Sequence, residues 1–276
     1  MIPKVIHYCW FGNNSKSEDT LSYINSWRKY FPDYEIKEWT EEDFDINCCN
    51  YVKEAYTEEK WAFVADYARF WIIYNYGGVY FDTDVEVIKG MQDIIDKGAF
   101  MGQEPLSIES QKFGTRKINV NPGLGMGAEA GNTFCKKMLE IYEKIHFIDA
   151  KGNVNEKTIV EYVSDLLCRK GMKETDEVQS IESINIYPVD YFCPLNYKTG
   201  KLNLTENTRT IHHYSATWKS EKERRFGNGI KVLSNAFGET TAYRIERIIT
   251  SPKRIIRKIK KLGWRDTIQF ILKSNN

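Results

Sequence analysis

The chain has 276 residues, 42% of them hydrophobic and 14% aromatic, with a net charge of +1 and no linker-like or low-complexity stretch to divide it. Its six cysteines form no CxxC pair, which argues against a zinc site and a disulfide framework and for a reducing cytoplasm. No apolar run is long enough to span a bilayer, and the apolar start is too short for a signal peptide.

Lys4 to Cys9 has the β-branched and aromatic content of a buried strand, and Phe11-Gly-Asn-Asn14 reads as the loop after it. In open α/β sheets that is where ligands bind. Thr20 to Tyr30 carries Leu21, Ile24 and Trp27 at helical spacing and is stopped by Pro32; Tyr34 to Trp39 alternates like a strand. Lys60 to Tyr76 is apolar almost all round, a buried helix ended by Gly77-Gly78. Val79 to Ile88 follows as strand material interrupted by carboxylates. Further strands are expected at Phe100–Gln103, Leu124–Gly127, Ile184–Tyr187 and Thr210–His213, with helices at Thr133–Ile145 and Glu156–Arg169. The class is α/β.

Residues 244 to 273 hold ten Lys or Arg against Glu246 and Asp266, a net +8 that leaves −7 for the rest. An acidic body speaks against nucleic acid as a partner. Within the tail, Ile255, Ile256, Ile259 and Leu262 fall on one helical stripe among cations, the pattern of a helix lying in an anionic membrane interface or packed against the body with a solvated basic face. The expected division is a catalytic domain over 1–240 and a basic amphipathic tail over 241–276.

The chemistry centres on Phe81-Asp-Thr-Asp-Val-Glu86. Asp82 and Asp84, one residue apart after a short apolar strand, can converge on one hard cation that keeps open positions for phosphate oxygens. A solvated acidic pair at a strand end would have the same spacing. Asp66 and Arg69 sit three apart on the preceding helix, suited either to an internal ion pair or to hydroxyl and phosphate contacts. Gly123-Leu-Gly-Met-Gly127 fails the spacing of phosphate-binding loops and reads as a tight turn.

Asp66-x-x-Arg69 followed by Tyr76-Gly-Gly-Val-Tyr-Phe-Asp-Thr-Asp84 resembles the DxD sugar-binding region of the family 32 glycosyltransferases, which include capsular polysaccharide enzymes and yeast mannosyltransferases. Ile2 to Gly12 is similar to the family's opening, and His212-His213-Tyr-Ser-Ala-Thr-Trp218 to its C-terminal His-His-x-x-x-Ser-Trp; Thr217 stands where many members have Ser. The resemblance implies a GT-A type fold, a mixed, mostly parallel sheet flanked by helices with the basic helical appendage following it. It implies Mn2+ or Mg2+ held by Asp82, Asp84 and His213, and a nucleotide-sugar donor contacted by Trp10, Asp66, Arg69 and Trp218, with Trp10 stacked on the base; Tyr80 and Asn121 are secondary donor-binding candidates that equally suit plain packing or a turn. The implied reaction transfers a hexose, UDP-linked first and GDP-mannose second, to a saccharide acceptor with retention. Capsular relatives imply a lipid-linked acceptor and an enzyme held peripherally at the inner face of the membrane. Because His212 and His213 alternate on a strand, at most one is expected to face the site.

Two other readings keep the same residues. A haloacid dehalogenase-type phosphotransferase also places DxD after a strand, but it wants Thr or Val where Glu86 stands. A carbohydrate- or lipid-binding module without turnover would leave the four charged residues unexplained as a group.

Overall fold

The computed structural model describes residues 1–105, 119–155, 157–197 and 199–215, with isolated positions 227, 229, 232 and 236. The chain forms two compact units, Met1–Asn196 with Lys201–Trp218, and Tyr197–Gly200 with Lys219–Asn276. Every element named below belongs to the first. Trp218 and the tail over 241–276 lie outside the described residues.

The first strand, β1 (Val5–Cys9), leads to α1 (Glu18–Tyr30), whose N-terminus is capped by Ser17 Oγ accepting from the Thr20 amide. The chain returns as β2 (Glu35–Trp39), parallel to β1. A short helix that the sequence pattern did not signal, α2 (Asn50–Thr57), precedes the expected buried helix α3 (Trp61–Tyr76), which Gly77 ends at a φ of 66°. The Cys49 side chain makes no capping hydrogen bond, so the usual start signal of α2 is missing.

The carboxylate-rich segment is two strands, β3 (Gly78–Tyr80) and β4 (Val85–Val87), parted by a turn in which the Val85 amide donates to Asp82 O at 3.0 Å. Then come α4 (Gln92–Ile95), β5 (Phe100–Glu104), β6 (Asn119–Ala128), α5 (Thr133–Tyr142), α6 (Ile159–Arg169), β7 (Gln179–Ile181), β8 (Ile184–Tyr187), α7 (Val189–Phe192) and β9 (Thr210–His212). Helix α6 starts on a capping box between Thr158 and Glu161. The Gly123–Gly127 segment is not a turn: it runs inside β6, a ten-residue strand.

Seven strands form one sheet in the order β2-β1-β3-β6-β5-β8-β7, while β4 and β9 make a separate antiparallel pair. Within the large sheet only β6 and β7 oppose the common direction. This is the mixed, helix-flanked α/β sheet expected of the GT-A type. Side chains alternate between two cores: Ile6, Val79 and Phe100 pack with Trp27 of α1 on one face, and Tyr80, Met101 and Ile186 pack with Phe70 of α3 and Tyr142 of α5 on the other. The topology sets the C-terminal ends of β1, β3 and β5 along one edge, where the ligand-binding loops of such sheets lie.

One buried histidine ties β1 to β2 and to the start of β3. His7 Nδ1 accepts from Trp39 Nε1 at 3.1 Å, so its Nε2 carries the proton and donates to Gly77 O at 2.9 Å. Burial, with Lys37 nearby, lowers its pKa from 6.5 to about 4 against the opposing pull of the Gly77 carbonyl. A second proton on Nδ1 would face the Trp39 N–H, donor against donor. The unfolded chain therefore takes up this proton first as pH falls, and stability is lost between about 6.5 and 4. Asp66, which burial raises, titrates with the opposite sign, so comparison with a variant isolates His7. Between pH 7 and 5 the urea-unfolding free energy of wild type should fall by about 2 kcal/mol more than that of His7→Gln. Parallel pH profiles for the two proteins would show that His7 is not held neutral.

Candidate metal and sugar-binding site

The turn after β3 brings Asp82 and Asp84 together, and the β4–β9 pair carries His212 to them. One ligand atom from each of Asp82, Asp84 and His212 lies within 4.8 Å of the others. His212 Nε2 is 3.1 Å from Asp84 Oδ1, and the Ser215 amide donates to Asp84 Oδ2 at 2.9 Å. Burial opposes the imidazolium of His212, but Asp84, Asp82 and Glu104 outweigh it and raise its pKa. For Asp84 burial acts upward, and His212 with the Ser215 N–H brings the net shift below the ordinary value.

Behind the turn, Arg69 Nη2 contacts Asp66 Oδ1 at 3.0 Å and Asp82 Oδ1 at 3.2 Å, its guanidinium 5.0 Å from the centre of the Tyr80 ring. Of the two readings of the Asp66–Arg69 spacing, the internal ion pair is present, and it extends to the DxD carboxylate of Asp82. Burial raises the Asp66 carboxyl, Arg69 opposes this, and Asp82 adds to the rise. Burial works against the Arg69 charge, but Asp82, Tyr80 and Asp66 more than hold it.

The other expected residues divide. Tyr80 is buried against Arg69, a neighbour of the cluster rather than an open surface. Asn121 uses its carbonyl to accept from the Gly123 amide at 2.8 Å and its amide to donate to Glu104 at 2.9 Å. Trp10 sits half-buried at the end of β1, its Nε1 donating to Asn14 O at 2.7 Å and Lys16 Nζ 5.1 Å from its ring. Trp218 is outside the described residues.

His213 does not join the carboxylate pair. It stacks on Tyr23 of α1 at 4.4 Å, and its Nε2 meets Glu86 Oε2 at 2.8 Å. The imidazole beside the DxD is that of His212, because β9 pairs with β4 in the register Val85↔His212 and adjacent side chains on a strand point to opposite faces. Alternation limits the pair to one site histidine, and the resemblance named His213; the register of β9 on β4 puts His212 there instead. The sequence analysis also missed Glu104, which carries no motif, and Tyr214, which stands at an unspecified position within the C-terminal one.

Two carboxylates and an imidazole suit a hard to borderline divalent cation such as Mn2+ or Mg2+. The imidazole faces the carboxylates through Nε2, the nitrogen that would bind the ion, while among the described residues Nδ1 is buried with no hydrogen-bond partner. The residues fit such an ion.

Gly123 closes the back of the pair. Its carbonyl accepts from the Asp82 amide at 3.1 Å, and a Cβ there would overlap Asp82 Oδ2 and stand 2.9 Å from Arg69 Nη1. Gly123→Ala must therefore move the Asp82 carboxylate without altering any charge. Mn2+ affinity, read by titration calorimetry, should fall at least about tenfold, since displacing one of three ligands costs more than 1.4 kcal/mol. Affinity equal to wild type would mean that Asp82 is not a ligand.

Comparison with known proteins follows the same region. Residues 17–101 match the family described as glycosyltransferase sugar-binding region containing DXD motif. The chain is similar to inositol phosphoceramide mannosyltransferases 1 and 3 of Schizosaccharomyces pombe, each 30% identical over 125 residues. These matches cover 41% and 42% of this chain but only 38% and 34% of the relatives, so the chain spans little more than a third of their length. Among solved structures, a glycosyltransferase involved in glycosylation of the major capsid of PBCV-1 is 12% identical with a TM-score of 0.45, covering 82% of this chain and 100% of its own. The galactosyltransferase LgtC, in complex with donor and acceptor sugar analogs, is 12% identical with a TM-score of 0.42, covering 84% and 95%. The resemblance read from the sequence is borne out over this stretch: residues 17–101, which hold α1, α3 and the Asp82–Asp84 turn, match a glycosyltransferase sugar-binding region containing the DXD motif.

Proposed function

We propose that the chain is a glycosyltransferase that moves a hexosyl group from a nucleoside diphosphate-sugar to a hydroxyl of a saccharide acceptor, with a divalent cation held by Asp82, Asp84 and His212. The observation that carries this reading is the convergence of those three side chains on the turn after β3, inside the DXD region. A bound Mn2+ or Mg2+ supplies a Lewis acid that neutralises charge on the departing diphosphate. The protein's own part is positional. Arg69 holds Asp82, and the Ser215 amide with His212 holds Asp84, so neither carboxylate must reorganise as charge develops. Trp10, at the mouth of β1, is assigned to stacking on the base, and Asn121 to the hexose side.

The relatives' names, inositol phosphoceramide mannosyltransferases, support a mannosyl donor and a lipid-borne acceptor, which sets GDP-mannose beside the UDP-hexoses. Retention at the anomeric carbon and a role in capsular or surface polysaccharide synthesis belong to the same reading. A donor screen for released UDP or GDP, run with and without Mn2+, tests it. Asp84→Asn keeps the side-chain volume and removes a ligand charge. It should lower release roughly a thousandfold, a loss of about 4 kcal/mol of transition-state stabilisation. A variant within about tenfold of wild type would sink the metal assignment.

The reading also sets the enzyme at the inner face of a membrane, held through residues 244 to 273 with their net +8. Truncation after Thr250 should release the protein from anionic vesicles in co-sedimentation and slow transfer to a lipid-linked acceptor, with hydrolysis of the donor by water little changed. Raising salt from about 0.1 M to about 1 M should do the same, because the screening length shrinks from about 10 Å to about 3 Å. Equal sedimentation of both proteins would assign the tail to packing.

A further inference from the structure

A fourth carboxylate stands at this edge without an assigned task. Glu104 is the last residue of β5, and strand polarity brings it to the same edge as the turn after β3. Its Oε2 accepts from Asn121 Nδ2 at 2.9 Å, and the Tyr214 hydroxyl donates to the same carboxylate. Asn121 ties it through the Gly123 amide to the backbone that holds Asp82. Tyr214 reaches it only by adopting a left-handed backbone at φ 52°, uncommon for a residue with a large side chain. That conformation lays the Tyr214 ring edge-on against His212 at 4.2 Å and its hydroxyl 2.9 Å from Cys193 Sγ. Strain held by its surroundings is characteristic of functional sites.

The partners of Glu104 set it apart from the other acids. Asp82 has Arg69, and Asp84 has His212 with a backbone amide. Among the described residues Glu104 is paired with an amide and a phenol, neither of them charged. An ionised carboxylate accepts about four hydrogen bonds, and the described residues supply two. Among the described residues it is a half-buried acceptor with spare capacity, beside the candidate cation site and hydrogen-bonded to no charged group, which suits neutral O–H donors. Sugar hydroxyls are that chemistry.

We infer that Glu104 is a sugar-contacting residue, its carboxylate accepting a hydrogen bond from a hydroxyl of the transferred hexose or of the saccharide that receives it. The inference rests on the glycosyltransferase reading. Asn121 and Tyr214 act as its positioning residues.

The test is Glu104→Gln, which keeps size and the ability to accept from Asn121 and Tyr214 but turns one free acceptor into a donor. Two rates are read on the full chain: donor hydrolysis by water, and transfer to a panel of methyl hexosides. Mn2+ and UDP or GDP affinities are measured alongside by calorimetry. Affinities should stay at wild-type values while transfer falls at least about tenfold, the scale of a hydrogen bond to a charged group. Loss in both rates assigns the contact to the donor hexose, and loss in transfer alone to the acceptor. Tyr214→Phe, which removes one positioning hydroxyl, should give a smaller fall of the same kind. Both rates unchanged in Glu104→Gln would overturn the inference, as would a parallel loss of Mn2+ affinity, which would make Glu104 a support of the metal cluster. A wild type silent on every nucleotide sugar would overturn the glycosyltransferase reading itself, and this inference with it.

Discussion

Everything at the site depends on one buried guanidinium. Arg69 is 3% exposed and answers two carboxylates from different elements, Asp66 on its own helix and Asp82 on the turn after β3. A buried charge persists only when its partners repay the lost hydration. Here they do so in a way that fixes the distance between α3 and the turn. Moving either would leave a charge without its counter-ion, so the pairing specifies geometry more than it adds stability.

The same arithmetic of charge explains why the cluster is receptive. Asp66, Asp82, Asp84 and Glu104 outnumber Arg69, and the surplus draws a proton toward His212. In a region this shielded from water such an imbalance is costly unless a cation comes to it. The cluster thus carries the surplus of negative charge that the proposed divalent ion would offset.

Around this core, backbone proximity does what side chains cannot. Strand β6 runs antiparallel between β3 and β5, and Gly123 lets its backbone come against Asp82 where any Cβ would collide. On the other side, β9 leaves the main sheet to pair with β4, and the three residues after it each take a separate job: His213 anchors to Tyr23 and Glu86, Tyr214 braces Glu104, and the Ser215 amide holds Asp84. His213 therefore acts as a latch between α1 and this short pair, near the cation site but facing away from it.

What the sequence by itself determined was local. The strand at Val5–Cys9, the largely apolar helix Trp61–Tyr76, the Gly77 stop and the acids at Asp82 and Asp84 all follow from periodicity and residue type within a few positions, whereas the spacing of Asp66 and Arg69 allowed either an ion pair or ligand contacts and the structure shows the pair. The break that turns Val79–Ile88 into two strands was not legible, because the same β-rich pattern serves both and only the Asp82–Val85 turn decides. The choice of His212 over His213 was decided by the tertiary structure. Alternation allowed either, and the register of β9 on β4 selected one. Glu104, Gly123 and Ser215 reached the site in the same way: Ser215 meets Asp84 from 131 residues away through strand pairing. Such contacts depend on which backbones lie side by side, and neither spacing nor propensity along the chain records that.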